Sequence, residues 1–186
     1  EHKEQEHPST RIMAFIGIDI GSSSIKAGWL ELQTADITDV LSLPFPEPLT
    51  DRPAGHFEID PLPVISAVRD LLARLIRRNG PCEGIVTCSQ MGGILLVDPD
   101  GKPLTNYLSW RDQRTLQPHP GTKENYLDLL RQRTSERDWE VIGHELKPGG
   151  APSLLFWLAE NDKLPSGPAL ALSLGDFVLS RICAAP

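Results

Sequence analysis

The hydrophobic pattern changes near Thr115. Before it, apart from one helical stretch, apolar residues come in short runs broken by turn residues; after it, they recur at helical spacing. Ala14–Ile20 (AFIGIDI) is apolar apart from Asp19 and reads as a buried strand. Gly21-Ser-Ser-Ser signals a turn. Ile25–Leu32 (IKAGWLEL) reads as a second strand, and Ile37–Phe45 as a third that runs into the Pro-rich loop PFPEP. Length and spacing predict an antiparallel meander. Gly55–Asp60 is extended, with Asp60 as a helix N-cap and Pro61 at the first helical position. Leu62, Ile65, Val68, Leu72, Leu75 and Ile76 follow at near-helical spacing, and the helix stops at Asn79-Gly80-Pro81. Gly84–Cys88 (GIVTC) and Ile94–Val97 (ILLV) read as short buried strands, the second closed by the turn Asp98-Pro99-Asp100-Gly101. Tyr107–Trp110 is a further short strand. Helices are predicted over 123–133, 135–144, 152–161 and 174–183, with a loop at 165–168 and an apolar run at 169–172. A meander, a helix, more strands and then helices make an α/β domain with a mixed sheet flanked by helices.

Composition narrows the class. The 186 residues are 40% hydrophobic and 23% charged, ordinary for one globular domain or one domain of a larger protein. A formal charge of −7 argues against nucleic acid as a partner. The basic cluster Arg69, Arg74, Arg77 and Arg78 reads as a solvated helix face with favourable charge at its C-terminus. Cys82, Cys88 and Cys183 form neither a disulfide framework nor a zinc spacing, and reduced cysteines fit a cytoplasmic setting. No apolar run is long enough to span a membrane. Residues 1–12 are too polar for a signal peptide, so residues 1–13 are expected to form a disordered N-terminal extension, with Met13 a candidate natural start.

Three elements are able to carry chemistry. In Asp19-Ile-Gly-Ser-Ser-Ser-Ile-Lys26, a carboxylate ends a buried strand, where it needs a cation, a metal or hydrogen-bond donors. Gly21 permits close backbone approach, Ser22, Ser23 and Ser24 offer hydroxyls and N–H groups to phosphate oxygens, and Lys26 adds positive charge. Together they suit a nucleotide's phosphates, with Asp19 holding a hydrated Mg²⁺. No helix follows and GxxxxGK is absent, so this is not a Walker A loop. The second element, Ser89-Gln-Met-Gly-Gly93, pairs a polar and a soft apolar side chain with open backbone, a combination that suits a small polyol through Gln90 and Met91. In the third, Trp110-Arg-Asp-Gln-Arg114, an indole face can pack on a sugar ring while Asp112 accepts and Arg114 donates hydrogen bonds. Each has an ordinary structural reading: a hairpin capped by its Asp, a tight strand connection, a salt-bridged loop anchored by Trp110. Trp139, Trp157 and Tyr126 sit in helical patterns and are expected in the core.

The order and spacing of these elements carry more than each does alone. Ile16–Lys26, then Ser89–Gly93, Val97-Asp-Pro-Asp-Gly-Lys-Pro-Leu104 and Trp110-Arg-Asp-Gln-Arg-Thr115 resemble the N-terminal domain of the FGGY carbohydrate kinases, which include xylulokinases, glycerol kinases and gluconokinases. The resemblance continues through Gly150–Leu158 and Leu174–Ile182 and covers about residues 14–183. It implies a ribonuclease H-like fold of the actin/sugar-kinase superfamily and ATP-dependent phosphorylation of a sugar or polyol hydroxyl. It implies that Asp19 belongs to the Mg²⁺–phosphate site, Gly21, Ser22 and Ser23 to the phosphate turn, and Gln90 and Met91 to the sugar site. Trp110, Asp112 and Arg114 would border the sugar cleft.

Two departures from the family pattern stand out. Gly92 replaces a His often found after the Gln-Met pair, which puts the usual pentulose substrate in question. The family's catalytic base, an Asp in a TDxSxAS-like segment, would lie beyond Pro186, as would its C-terminal ATP-binding domain. Residues 14–186 are therefore expected to be the kinase N-terminal domain, cut before the base and inactive alone. The alternatives are a non-catalytic sugar-binding or regulatory module, or one half of a split kinase whose C-terminal half is a separate chain; an exposed apolar face would also favour self-association.

Overall fold

The computed structural model describes residues 14–183; the expectation of a disordered extension at 1–13 lies outside the described residues. The meander forms as the pattern predicts. β1 (Ala14–Ile20) and β2 (Ser24–Glu31) pair antiparallel, and β3 (Asp36–Pro44) pairs antiparallel with β2. Ile16, Ile18, Ile20, Ile25, Ala27 and Trp29 alternate onto one face and are buried there. A two-residue strand, β4 (Glu58–Ile59), leads into α1 (Pro61–Asn79), whose cap Asp60 accepts a hydrogen bond from the Leu62 N–H at 2.9 Å. Val64, Ile65, Val68, Leu71 and Leu75 line its buried stripe. Each such side chain contributes about 1.5–3 kcal/mol when fully buried, enough to hold α1 against the sheet.

β5 (Gly84–Ser89) returns parallel to β1, giving the sheet order β3-β2-β1-β5. Sequence reasoning expected β5 to be buried, yet Val86 is 55% exposed. Among the described residues β5 is an edge strand, paired on one side only. The open face extends across the sheet: Gly17 and Lys26 lie on it beside Val86, and so β1 too is buried on one side rather than two.

The second half of the chain adds two short strand pairs and the remaining helices. β6 (Leu95–Val97) pairs with β8 (Leu170–Leu172), and β7 (Tyr107–Leu108) pairs with β4. β6 and its preceding residue are buried on both sides: Leu95 and Val97 enter the core of the main sheet, Ile94 and Leu96 enter a second core. A 3-10 turn, Arg114–Leu116, precedes α2 (Tyr126–Arg133), α3 (Glu136–Val141) and α4 (Ala151–Glu160). Tyr126 and Trp157 fill the second core, as expected. α5 (Leu174–Ile182) comes back beside α1 and closes the main core with Leu174, Phe177 and Val178.

Trp139 departs from expectation. It is only half-buried, on a six-residue helix with no buried residue, and its ring stacks on His144 at 6.3 Å. The segment ERDWEV carries too few apolar positions to form a stripe, and the backbone turns out of the helix at Gly143 with φ 64°. The predicted helix over 135–144 is shortened accordingly. Arg69, Arg74 and Arg78 behave as a solvated face: Arg69 donates to the Arg181 carbonyl, while Arg74 and Arg78 pair with Asp70 and Asp39. Cys82, Cys88 and Cys183 are free.

Candidate functional site

β1 and β5 run parallel, so their carboxyl ends lie at the same edge of the sheet, the position at which α/β sheets bind ligands. Asp19 is exposed there. The register sets it between Lys26 on β2 and Cys88 on β5. The Cys88 thiol reaches its Oδ1 at 3.5 Å. Burial, and then the Asp19 carboxylate, raise the Cys88 thiol above its ordinary value of 9.0, so it remains a protonated, weakly donating group. Just beyond Asp19 the chain turns: the Gly21 N–H donates to the Ser24 carbonyl at 3.1 Å, and the Phe45 N–H donates to the Ser23 carbonyl at 3.0 Å. A Cβ at Gly21 would sit 3.0 Å from the Ser24 oxygen, which accounts for glycine at this bend. Ser22 and Ser23 face solvent. No group of three or more His, Cys, Asp or Glu side chains surrounds a metal position among the described residues. A lone exposed carboxylate fits Mg²⁺, which keeps most of its waters and takes few protein ligands, and does not fit a metal that needs a protein cage.

Gln90 joins this turn to the next segment. Its backbone N–H donates to the Ile20 carbonyl at 2.9 Å, and its side-chain Oε1 accepts from Trp110 Nε1 at 3.1 Å. Gln90 Nε2 is buried without a partner, an unspent donor beside the indole. Trp110 is 48% exposed. Its backbone is pressed against Gly149, where a Cβ would lie 2.0 Å from the Trp110 oxygen. Gly93, at φ 72°, is equally constrained, since a Cβ there would meet the Leu108 oxygen at 2.5 Å. Tyr107 donates its hydroxyl to the Gly92 carbonyl at 2.9 Å, and burial pushes its phenol up to about 12. Trp110, Phe57, Lys147 and Gly149 border a cavity of about 420 Å³. Met91, next in the chain, is 88% exposed.

Asp112 and Arg114 lie beneath this wall, at 0% and 3% exposure. Asp112 accepts from the Phe57 N–H at 2.7 Å and from the Arg114 N–H, Nε and Nη2 at 2.9, 2.9 and 2.8 Å. Arg114 also donates to Glu58 at 2.7 Å. Burial alone would raise Glu58, but hydrogen bonds from Asn106 and Arg114 outweigh it and hold the carboxyl below its ordinary 4.5. Glu58 and Gly149 were not singled out from sequence. The signal for Glu58 was a carboxylate between Phe57 and Ile59, a flanking that calls for a buried cation; Gly149 carried none beyond being glycine.

The sequence profile described as the FGGY family of carbohydrate kinases, N-terminal domain, matches residues 14–164. The chain belongs to the FGGY family of carbohydrate kinases. This FGGY domain is 30% identical to the xylulose kinase of Bacillus subtilis (strain 168) over 172 residues, covering 90% of the chain and 32% of that protein. It is 31% identical to the xylulose kinase of Staphylococcus xylosus over 123 residues, covering 64% of the chain and 25% of that protein. The FGGY domain therefore spans between a quarter and a third of the length of these curated relatives. Its fold superposes on gluconate kinase from Lactobacillus acidophilus with a TM-score of 0.71 at 19% identity, covering 91% of the chain and 33% of that structure. The xylulose kinase from the same organism gives a TM-score of 0.70 at 19% identity, covering 90% and 33%. The mixed sheet with flanking helices is thus the ribonuclease H-like fold of the sugar kinases.

Proposed function

We propose that this FGGY domain supplies the phosphate turn and one sugar-binding wall of an ATP-dependent kinase that phosphorylates a sugar or polyol hydroxyl. The observation that carries the reading is Gln90, which bonds by its backbone to the end of β1 and by its side chain to Trp110. Phosphate turn and sugar wall are thereby linked through one residue. Asp19 would hold Mg²⁺ through its hydration shell, and the ion would neutralise charge on the ATP phosphates. Gly21, Ser22 and Ser23 present N–H groups and hydroxyls to phosphate oxygens, with Lys26 adding charge from the next strand. The half-exposed Trp110 face packs on the apolar side of the sugar, and Gln90 Nε2 donates to a hydroxyl. Met91 closes over the ligand from its exposed position. Asp112 and Arg114 act from beneath, fixing the loop that carries Trp110. None of the residues assigned here accepts the sugar hydroxyl's proton, so sugar binding without turnover is expected of them.

Calorimetry with pentuloses, polyols and sugar acids, run beside a coupled ATPase assay, tests this. The expected result is sugar binding that Gln90→Ala and Trp110→Ala each weaken, with no turnover. Absence of sugar binding overturns the sugar wall; turnover by the 186-residue chain overturns the assignment of the base to another segment. The open sheet face supports a further body of protein covering it, a separate C-terminal kinase half before self-association. A clean monomer at high concentration on size-exclusion chromatography removes the second of these.

A further inference from the structure

On the far side of the buried Asp112–Arg114 pair lies a second cavity, of about 430 Å³, that the sugar reading does not use. Asp112 borders the sugar-side cavity and Arg114 borders this one, so the pair forms the partition. Three separate segments converge on it: the loop carrying Arg52 and His56, the loop residues Thr105 and Asn106 just before β7, and Lys163 in the turn after α4. Its cations outnumber its carboxylates. Glu58 is the single acid in the lining, and its oxygens are already engaged by Arg114 at 2.7 Å, Asn106 at 2.8 Å and Arg52 Nε at 3.4 Å. Lys163 has no carboxylate partner among the described residues. Thr105 Oγ1 accepts from the Leu96 N–H, leaving its own hydroxyl proton free to donate. Trp157, which lines the same cavity, keeps its indole Nε1 buried with no partner. An unpartnered buried donor, a lysine without a carboxylate partner and an arginine held only through its Nε suit an acceptor-rich anion.

We propose that this cavity binds a compact oxyanion, inorganic phosphate or a phosphate ester, between Arg52 and Lys163 over the Trp157 indole. The site is separate from the sugar wall and does not rest on the kinase reading. Arg52 supplies the planar fork suited to phosphate oxygens, and Lys163 a mobile point charge. The test follows the four tryptophan indole N–H resonances of the 186-residue chain while inorganic phosphate replaces chloride at constant ionic strength. Trp157→Phe identifies the Trp157 signal. The expected result is a saturable shift of the Trp157 signal, with the Trp110 signal unmoved, and binding weakened by roughly tenfold in Arg52→Gln and in Lys163→Gln. Gln90→Ala leaves phosphate binding unchanged, which separates this site from the sugar wall. Repeating the titration with a pentulose phosphate distinguishes the two sources: tighter binding than phosphate, with the same sensitivity to Arg52→Gln, assigns a phosphorylated sugar, and equal binding assigns free phosphate. A shift that never saturates, or equal affinity in all variants by a circular-dichroism-verified folded chain, overturns the proposal.

Discussion

Asp112→Asn isolates the cost of breaking the buried pair without changing its shape. Oδ1 of Asp112 accepts from the Arg114 N–H and Nε; Oδ2 accepts from the Phe57 N–H and Arg114 Nη2. An asparagine amide must place its NH₂ on one of these two sides. In either orientation two donors, one of them on the guanidinium, then face another donor. Leaving buried donors unsatisfied costs about 1–3 kcal/mol each, and breaking a buried ion pair from one side costs about 3–5 kcal/mol in all. Arg114 keeps Glu58, so the lower half of that range is expected. For a chain of this size each kcal/mol moves Tm by about 2–4 °C, which gives a drop of roughly 10 °C. Urea unfolding at pH 7 reads the same quantity as a fall in midpoint with an unchanged slope. An Asp112→Asn chain that lost less than about 1 kcal/mol would refute the idea that this pair holds the Trp110 loop to the body of the domain.

Three further outcomes follow from the geometry. Gly93→Ala combines a left-handed backbone with a 2.5 Å clash against the Leu108 oxygen, whereas Gly143→Ala at φ 64° meets nothing within 4 Å. The first should cost several-fold more in thermal melting than the second, which carries only backbone strain of about 1 kcal/mol; equal losses contradict the steric account. Tyr107→Phe removes one buried hydrogen bond to the Gly92 carbonyl and should cost about 1 kcal/mol, read by urea unfolding; no change would mean the carbonyl finds another donor. Burial, and then the Arg114 charge, hold His56 below its ordinary 6.5 against the pull of Asp112 and Glu58. The unfolded chain therefore binds the proton first as pH falls, so native stability is full above about 6.5 and declines from there toward the lowered native value. His56→Gln should flatten the stability profile between pH 7 and 5.5, and parallel profiles for the two chains would exclude His56 as the source.

Much of the fold is local in origin, and local features can be read from a chain. The apolar runs Ala14–Ile20 and Ile25–Leu32 with the glycine turn between them, the Asp60-Pro61 start of α1 and its Asn79-Gly80 end are short-range patterns, and the structure forms strands and a helix there. Asp19 and the Gly21 turn were legible as a strand terminus for the same reason: glycine and a carboxylate at the end of an apolar run mark where a strand stops. Trp139 was misread because helical spacing says where a side chain points but not whether another element arrives to cover it. The burial of β5 was misread on the same ground, since a strand's neighbours are set by sheet order rather than by its own residues.

That β1 ends in a carboxylate followed by a tight turn is written in the chain, because those residues are adjacent in it. Tertiary structure alone decided that Gln90, seventy residues downstream, would reach both Ile20 and Trp110. It likewise decided that Asp112 and Arg114, which read as surface hydrogen-bonding groups, would be sealed against Glu58 and Phe57. A charged side chain is read as exposed until a partner from elsewhere in the chain is brought to it, and only the packing of β4 against β7 brings that partner.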